Sequence, residues 1–186
     1  MMSSCEYRQY APADYPESKV YIPAASYGEY ISPAGDPVAN TWLINGKEES
    51  PVFVATGGKK RYDLDLGSKK LIIHLGAVQS GITLKECTVQ LSSAKSVVNR
   101  LIDDGTFETE ILPLPESVYK FPEEVSFTAG KDAALFDLEV NVNYLKDPEY
   151  IGRKFAVAIK LTSDVVATNP EFETVIVIID PSFLLN

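Results

Sequence analysis

Histidine is almost missing from this sequence, and cysteine, tryptophan and methionine are scarce: one His, two Cys, one Trp and two Met in 186 residues. Serine-type nucleophilic catalysis needs a base, and the one imidazole, His74, falls inside a strand pattern, where it reads as a satisfied structural residue. Cys5 and Cys87 are too few for a disulfide framework and lack the paired spacing of a zinc site. Cys87 alternates with Val89 and Leu91 and reads as a small buried hydrophobe. No loop carries the full ligand spacing of a calcium motif, although Asp103 and Asp104 stand together at a helix end. Asp137 and Glu139 alternate along a strand as a solvated face does, which does not single them out as a hydrolytic pair. The sequence therefore predicts no catalytic residue, no metal and no cofactor.

Positive charge is also in short supply. Seventeen Lys and Arg against 26 Asp and Glu give a formal net charge of -9, a field that repels a phosphate backbone and makes nucleic acid an unsuitable partner. No apolar run reaches the length of a membrane-spanning helix. What is present is an ordinary globular balance, 45% hydrophobic and 23% charged, in a length suited to one domain. Ten Tyr with frequent Val and Ile lean towards strands.

The most readable stretch is residues 106–143. Phe136, Leu138, Val140, Val142 and Tyr144 fall on one face of a strand and Asp137, Glu139, Asn141 and Asn143 on the other, predicting a half-buried strand with an acidic wet face. Tyr119, Phe121, Val125 and Phe127 keep the same period across Pro122, and Ala129-Gly130-Lys131-Asp132 predicts the hairpin turn between them. Earlier, residues 19–23 and Thr41-Trp42-Leu43-Ile44 read as strands. Asn45-Gly46 signals a hairpin into residues 51–55. Tyr62, Leu64 and Leu66 alternate against Asp63 and Asp65, residues 71–75 form a central apolar strand, residues 76–81 a loop, and residues 82–91 a strand whose phase shifts near Glu86. Residues 93–102 predict one short helix, with a serine cap and Val97, Val98, Leu101 and Ile102 on its apolar side. After Asp147-Pro148 come a strand over residues 155–161, another over 174–179, and a small apolar tail, Phe183-Leu184-Leu185. The fold expected is all-β: a two-sheet antiparallel, immunoglobulin-like sandwich with one short helix at its edge.

Several of these pieces carry a family resemblance. Leu114-Pro115-Glu116 with Tyr119, the run "AGKDAALFDLEV", Val20-Tyr21-Ile22-Pro23, "YDLDLGSKKLIIHLGAVQSG" and "VNRLIDDG" together resemble the β-sandwich domain of unknown function found near the N-terminus of Bacteroidetes surface lipoproteins. Some of those proteins also carry family 18 glycosidase-like or carbohydrate-binding domains. The resemblance implies a non-catalytic module that binds glycan or positions protein components of a polysaccharide-uptake system. It implies a cell-envelope location, lipid-anchored at the outer membrane, with contact to the membrane through the anchor alone.

Met2-Ser3-Ser4-Cys5 looks like a lipobox, so Cys5 is the candidate lipidation site and residues 1–17 the tether ahead of a single domain over residues 18–186. Four residues are too few for a signal-peptide core, which places the true start upstream of Met1 or the leader already removed. Glu6 alone follows the cysteine, and the leaflet occupied by the anchor stays open. For glycan contact, exposed aromatics near Pro and Gly are the best platform the sequence offers: Tyr27, Tyr30 and Trp42. A lone Trp in an apolar run is, however, more often core. The competing function class is a structural or adhesive, fimbria-like subunit that meets other proteins through an edge strand.

Overall fold

The computed structural model describes residues 17–50 and 60–185. In chain order the strands and helices are β1 (Lys19–Tyr21), β2 (Tyr30–Ile31), β3 (Pro37–Val38), β4 (Thr41–Ile44), β5 (Tyr62–Asp65), β6 (Lys70–Gln79), β7 (Cys87–Ser93), α1 (Lys95–Asp103), β8 (Ile111–Pro113), β9 (Tyr119–Lys120), β10 (Glu124–Phe127), β11 (Ala133–Asn141), α2 (Val142–Leu145), β12 (Lys154–Thr162), β13 (Ala167–Thr168) and β14 (Thr174–Ile179). One sheet runs β13-β1-β6-β11-β9, with β5 also paired to β6; the other runs β10-β7-β12-β14-β4, with β8 also paired to β12. Strands β2 and β3 make a separate ribbon.

Alternation decides which face each strand buries. Phe136, Leu138 and Val140 of β11 and Leu71, Ile73 and Leu75 of β6 meet Phe155, Val157, Ile159, Val175 and Val177 of the opposite sheet in one core. The second sheet is covered on its outer side as well. There Ala156, Ala158, Ile176 and Ile178 pack with Val98 of α1, Tyr30, Val38 and Phe107. This double burial explains why β14 is apolar at nearly every position, whereas β6 and β11 carry charge on their outward side. Among the described residues no second layer covers the outer face of the first sheet, where Leu135 is 47% exposed.

The all-β sandwich is as expected, and four details are corrected. Three pairings are parallel, β1 with β13, β4 with β14 and β8 with β12, so the sheets are mixed rather than antiparallel. A second helix, α2, replaces the end of the long strand, because the Asn141 side chain accepts from Asn143 N at 2.9 Å and caps a helical turn there. Gly130 does stand in a turn, at φ 70, but the turn crosses between sheets: β10 pairs with β7 and β11 with β6. Strand β6 continues through Gly76 and Ala77, paired to Leu135 and Ala134, where a loop was predicted.

Smaller differences follow from position. Leu64 and Leu66 are exposed, since β5 borders only the first part of β6. The N-cap of helix α1 is Ala94, which offers no side-chain cap; Ser93 Oγ instead meets the Tyr119 hydroxyl at 3.0 Å. The apolar tail packs as expected through Leu184 and through Phe183, whose ring lies 5.2 Å from that of Tyr62. The strand expected at 51–55, the candidate Cys5 and nearly all of the tether lie outside the described residues.

Candidate functional site: the open face of the first sheet

Two of the three predicted glycan-stacking rings are core residues. Trp42 is 0% exposed, with the Arg61 guanidinium carbon 3.9 Å above its ring centroid and the Tyr27 ring against it edge-on at 5.5 Å. Arg61 is itself 1% exposed. It forks onto both Glu29 carboxylate oxygens at 2.6 Å and donates to the carbonyls of Leu43 at 3.1 Å and Glu49 at 2.7 Å. Glu29 in turn accepts from Leu43 N at 2.9 Å. A planar fork between a carboxylate and an indole face neutralises a charge that burial would otherwise penalise. Tyr30 is 5% exposed, edge-on to Phe107 at 5.2 Å. The expected platform is therefore corrected: Trp42 and Tyr30 present no ring to solvent, and the half-buried Tyr27 rests on Trp42.

On the open face, β5, β6 and β11 bring Asp63, His74 and Asp137 into a row. His74 Nδ1 lies 2.7 Å from Asp137 and Nε2 2.9 Å from Asp63. With both ring nitrogens engaged and the side chain 4% exposed, this imidazole is a cross-strand link, as the sequence indicated. Among the described residues no cluster of His, Cys, Asp and Glu has the arrangement of a metal site.

Further along the same face lies a cleft of about 410 Å³. One wall is the turn before β6. Asp65 accepts from Ser68 N at 3.1 Å and Ser68 Oγ at 2.6 Å, and these bonds hold its carboxyl below the usual range. Lys69 then stands at φ 57, a left-handed conformation that is uncommon outside glycine. Its carbonyl accepts from Val142 N at 2.9 Å, tying the turn to α2. The opposite wall is β9 and the single helical turn before it, anchored on the core side by Tyr119, whose ring stacks on Phe121 at 6.1 Å.

The floor is the end of β11. Register places Glu139 beside Lys120 and Asn141 beside Lys70. The Glu139 carboxylate lies 2.7 Å from Lys70 Nζ and 3.4 Å from Lys120 Nζ. The hydrogen bond from Lys70 holds its carboxyl low, with Lys120 adding to the effect and burial opposing it. The wet face predicted to be acidic is thus counterbalanced here. Lys69, Ser117, Asn141 and Asn143 complete the polar lining, while Tyr119, the register partner of the buried Val140, turns its ring to the core. Amides, hydroxyls and a held carboxylate are groups that bind a hydroxyl-rich ligand. Hydrolysis of a glycosidic bond ordinarily uses two facing carboxyl groups, and this cleft has Glu139 alone.

This site was not legible in the sequence. The outward Asn141 was visible, but only the pairing of β6, β9 and β11 brings it together with the turn at Ser68.

Residues 15–167 match the family described as "-like, N-terminal domain". No curated protein matches the chain. Among solved structures, a candidate carbohydrate binding protein from Bacteroides ovatus is similar at 17% identity over 87% of this chain and 36% of its own, with a TM-score of 0.52. An auxiliary nutrient binding protein from Bacteroides thetaiotaomicron is similar at 17% identity over 82% of this chain and 48% of its own, TM-score 0.52. A multidomain protein including DUF1735 from Bacteroides ovatus shares 16% identity over 88% of this chain and 45% of its own, TM-score 0.52. The chain spans less than half the length of each, and at these identities the likeness is one of fold.

Proposed function

The chain belongs to this N-terminal-domain family, and from that premise we propose that it is a glycan-binding module of the bacterial cell envelope that binds without turnover. The observation that carries the reading is the cleft between β9, β11 and the turn before β6, where amides, hydroxyls and charged groups gather. The names of the carbohydrate and nutrient binding neighbours support the same class. Binding without turnover is supported by the engagement of both His74 nitrogens and by the single carboxylate in the cleft. Acylation of Cys5 would tether the domain to a membrane, within a polysaccharide-uptake system, and mass spectrometry of the native N-terminus tests that part. The fimbria-like alternative has less support, because the described edge strands are short, two residues in β9 and β13 and four in β4, β5 and β10, which offer little backbone for strand addition.

A glycan array tests the proposal. Binding to at least one oligosaccharide, weakened about fivefold in Asn143→Ala as expected for a lost hydrogen bond, supports it. An array without a single hit, from folded protein, contradicts it.

A further inference from the structure

The cleft is charged against the sign of the whole molecule. Resting on the glycan-binding reading, we infer that its ligand is an anionic saccharide, one that carries carboxylate or sulfate groups. The chain as a whole bears -9, yet the cleft is lined by Lys69, Lys70 and Lys120 against Glu139 alone: three ammonium groups less one carboxylate leave a local surplus of two positive charges.

The pairing leaves that surplus accessible. Lys70 and Lys120 both approach Oε2 of Glu139, so two ammonium groups share one oxygen, and each ammonium has three donors to place. Their side chains stay 39% and 69% exposed. Lys69 has no ion-pair partner among the described residues, and its backbone is held in the left-handed region by the bond from Val142 to its carbonyl. Asp65, the nearest acid along the chain, is engaged by Ser68. A backbone conformation of this kind persists only where the surroundings enforce it, and such residues gather at ligand sites.

A neutral sugar would use the amides and hydroxyls but gain nothing from the ammonium surplus. An acidic sugar uses both. Because the rest of the surface repels anions, the attraction acts over roughly a Debye length, about 8 Å at physiological salt, which confines it to ligands seated in the cleft.

The test is calorimetric titration of the full chain with four probes of matched length: an oligogalacturonate, a sulfated chondroitin oligosaccharide, a neutral malto-oligosaccharide and polyglutamate. At least one acidic saccharide is expected to bind about tenfold or more tightly than the neutral one, with affinity that falls as salt rises. Which acidic probe binds tells carboxylate from sulfate recognition. Lys120→Ala and Lys69→Gly should each weaken it several-fold; the glycine keeps the left-handed backbone available, so loss of binding there reports the charge and not the turn. Neutral probes or array glycans bound as tightly as the acidic ones overturn the anionic class while leaving glycan binding intact. Equal affinity for polyglutamate overturns saccharide recognition at these lysines. Binding of no probe and no array glycan overturns this inference together with the reading it rests on.

Discussion

At the scale of single residues, Arg61 is the side chain whose role the sequence concealed most completely. In Lys59-Lys60-Arg61 it reads as one of three basic turn residues, yet it is buried between Glu29 and Trp42 while Lys60 is exposed beside Glu48. Nothing local separates the two; only the position of Trp42 does. Breaking a buried pair from one side leaves a stranded charge, and Arg61→Ala should lower unfolding free energy by about 3–5 kcal/mol in urea titration. Lys60→Ala should leave the urea midpoint unchanged.

Tyr144 gives a residue-level pH dependence. Burial first, and then the hydrogen bond and charge of Tyr150, push its phenol from 10.0 up to about 12. Between those values the unfolded chain gives up this proton and the folded one keeps it, so the contribution is complete below pH 10.0 and disappears as pH rises through about 12. Ultraviolet titration should show a late phenolate step that Tyr144→Phe removes; an unchanged profile in that variant would contradict the assignment.

At the scale of elements, the sequence was clearest where period 2 runs unbroken. Phe136, Leu138 and Val140 are buried as read, and β4, β12 and β14 stand where alternation or apolar runs put them. Legibility failed where a tertiary partner decides. Gly76 and Ala77 read as a loop, but β11 pairs with them; the turn at Gly130 reads as a hairpin, but its strands lie in different sheets. The alanines of β12 carry a further consequence. Ala156 and Ala158 face Val98 and the helix side of the second sheet, and small side chains there let α1 lie close. Ala158→Leu should overpack this layer and cost about 1–3 kcal/mol in chemical denaturation. A variant as stable as the parent would mean that the helix packs more loosely than its contacts indicate.

At the scale of the whole molecule, the two outer faces of the sandwich differ. The second sheet is covered on its outer side by α1 and the β2-β3 ribbon, whereas among the described residues the outer face of the first sheet is exposed where the cleft lies. The aromatic platform predicted near the chain's beginning belongs instead to the packing that joins β4 to the following segment. The polar cleft that replaces it as candidate site was illegible because its walls come from residues 68–70, 117–120 and 139–143, brought together only by sheet register. Glycan binding in this cleft is read most directly by an amide-resolved NMR titration of isotope-labelled protein with an oligosaccharide that scores on the array. The expected result is saturable shifts at Ser68, Lys70, Tyr119, Asn141 and Asn143 with the Tyr27 and Trp42 signals unmoved; saturable shifts centred on Tyr27 and Trp42, with the cleft silent, would contradict it.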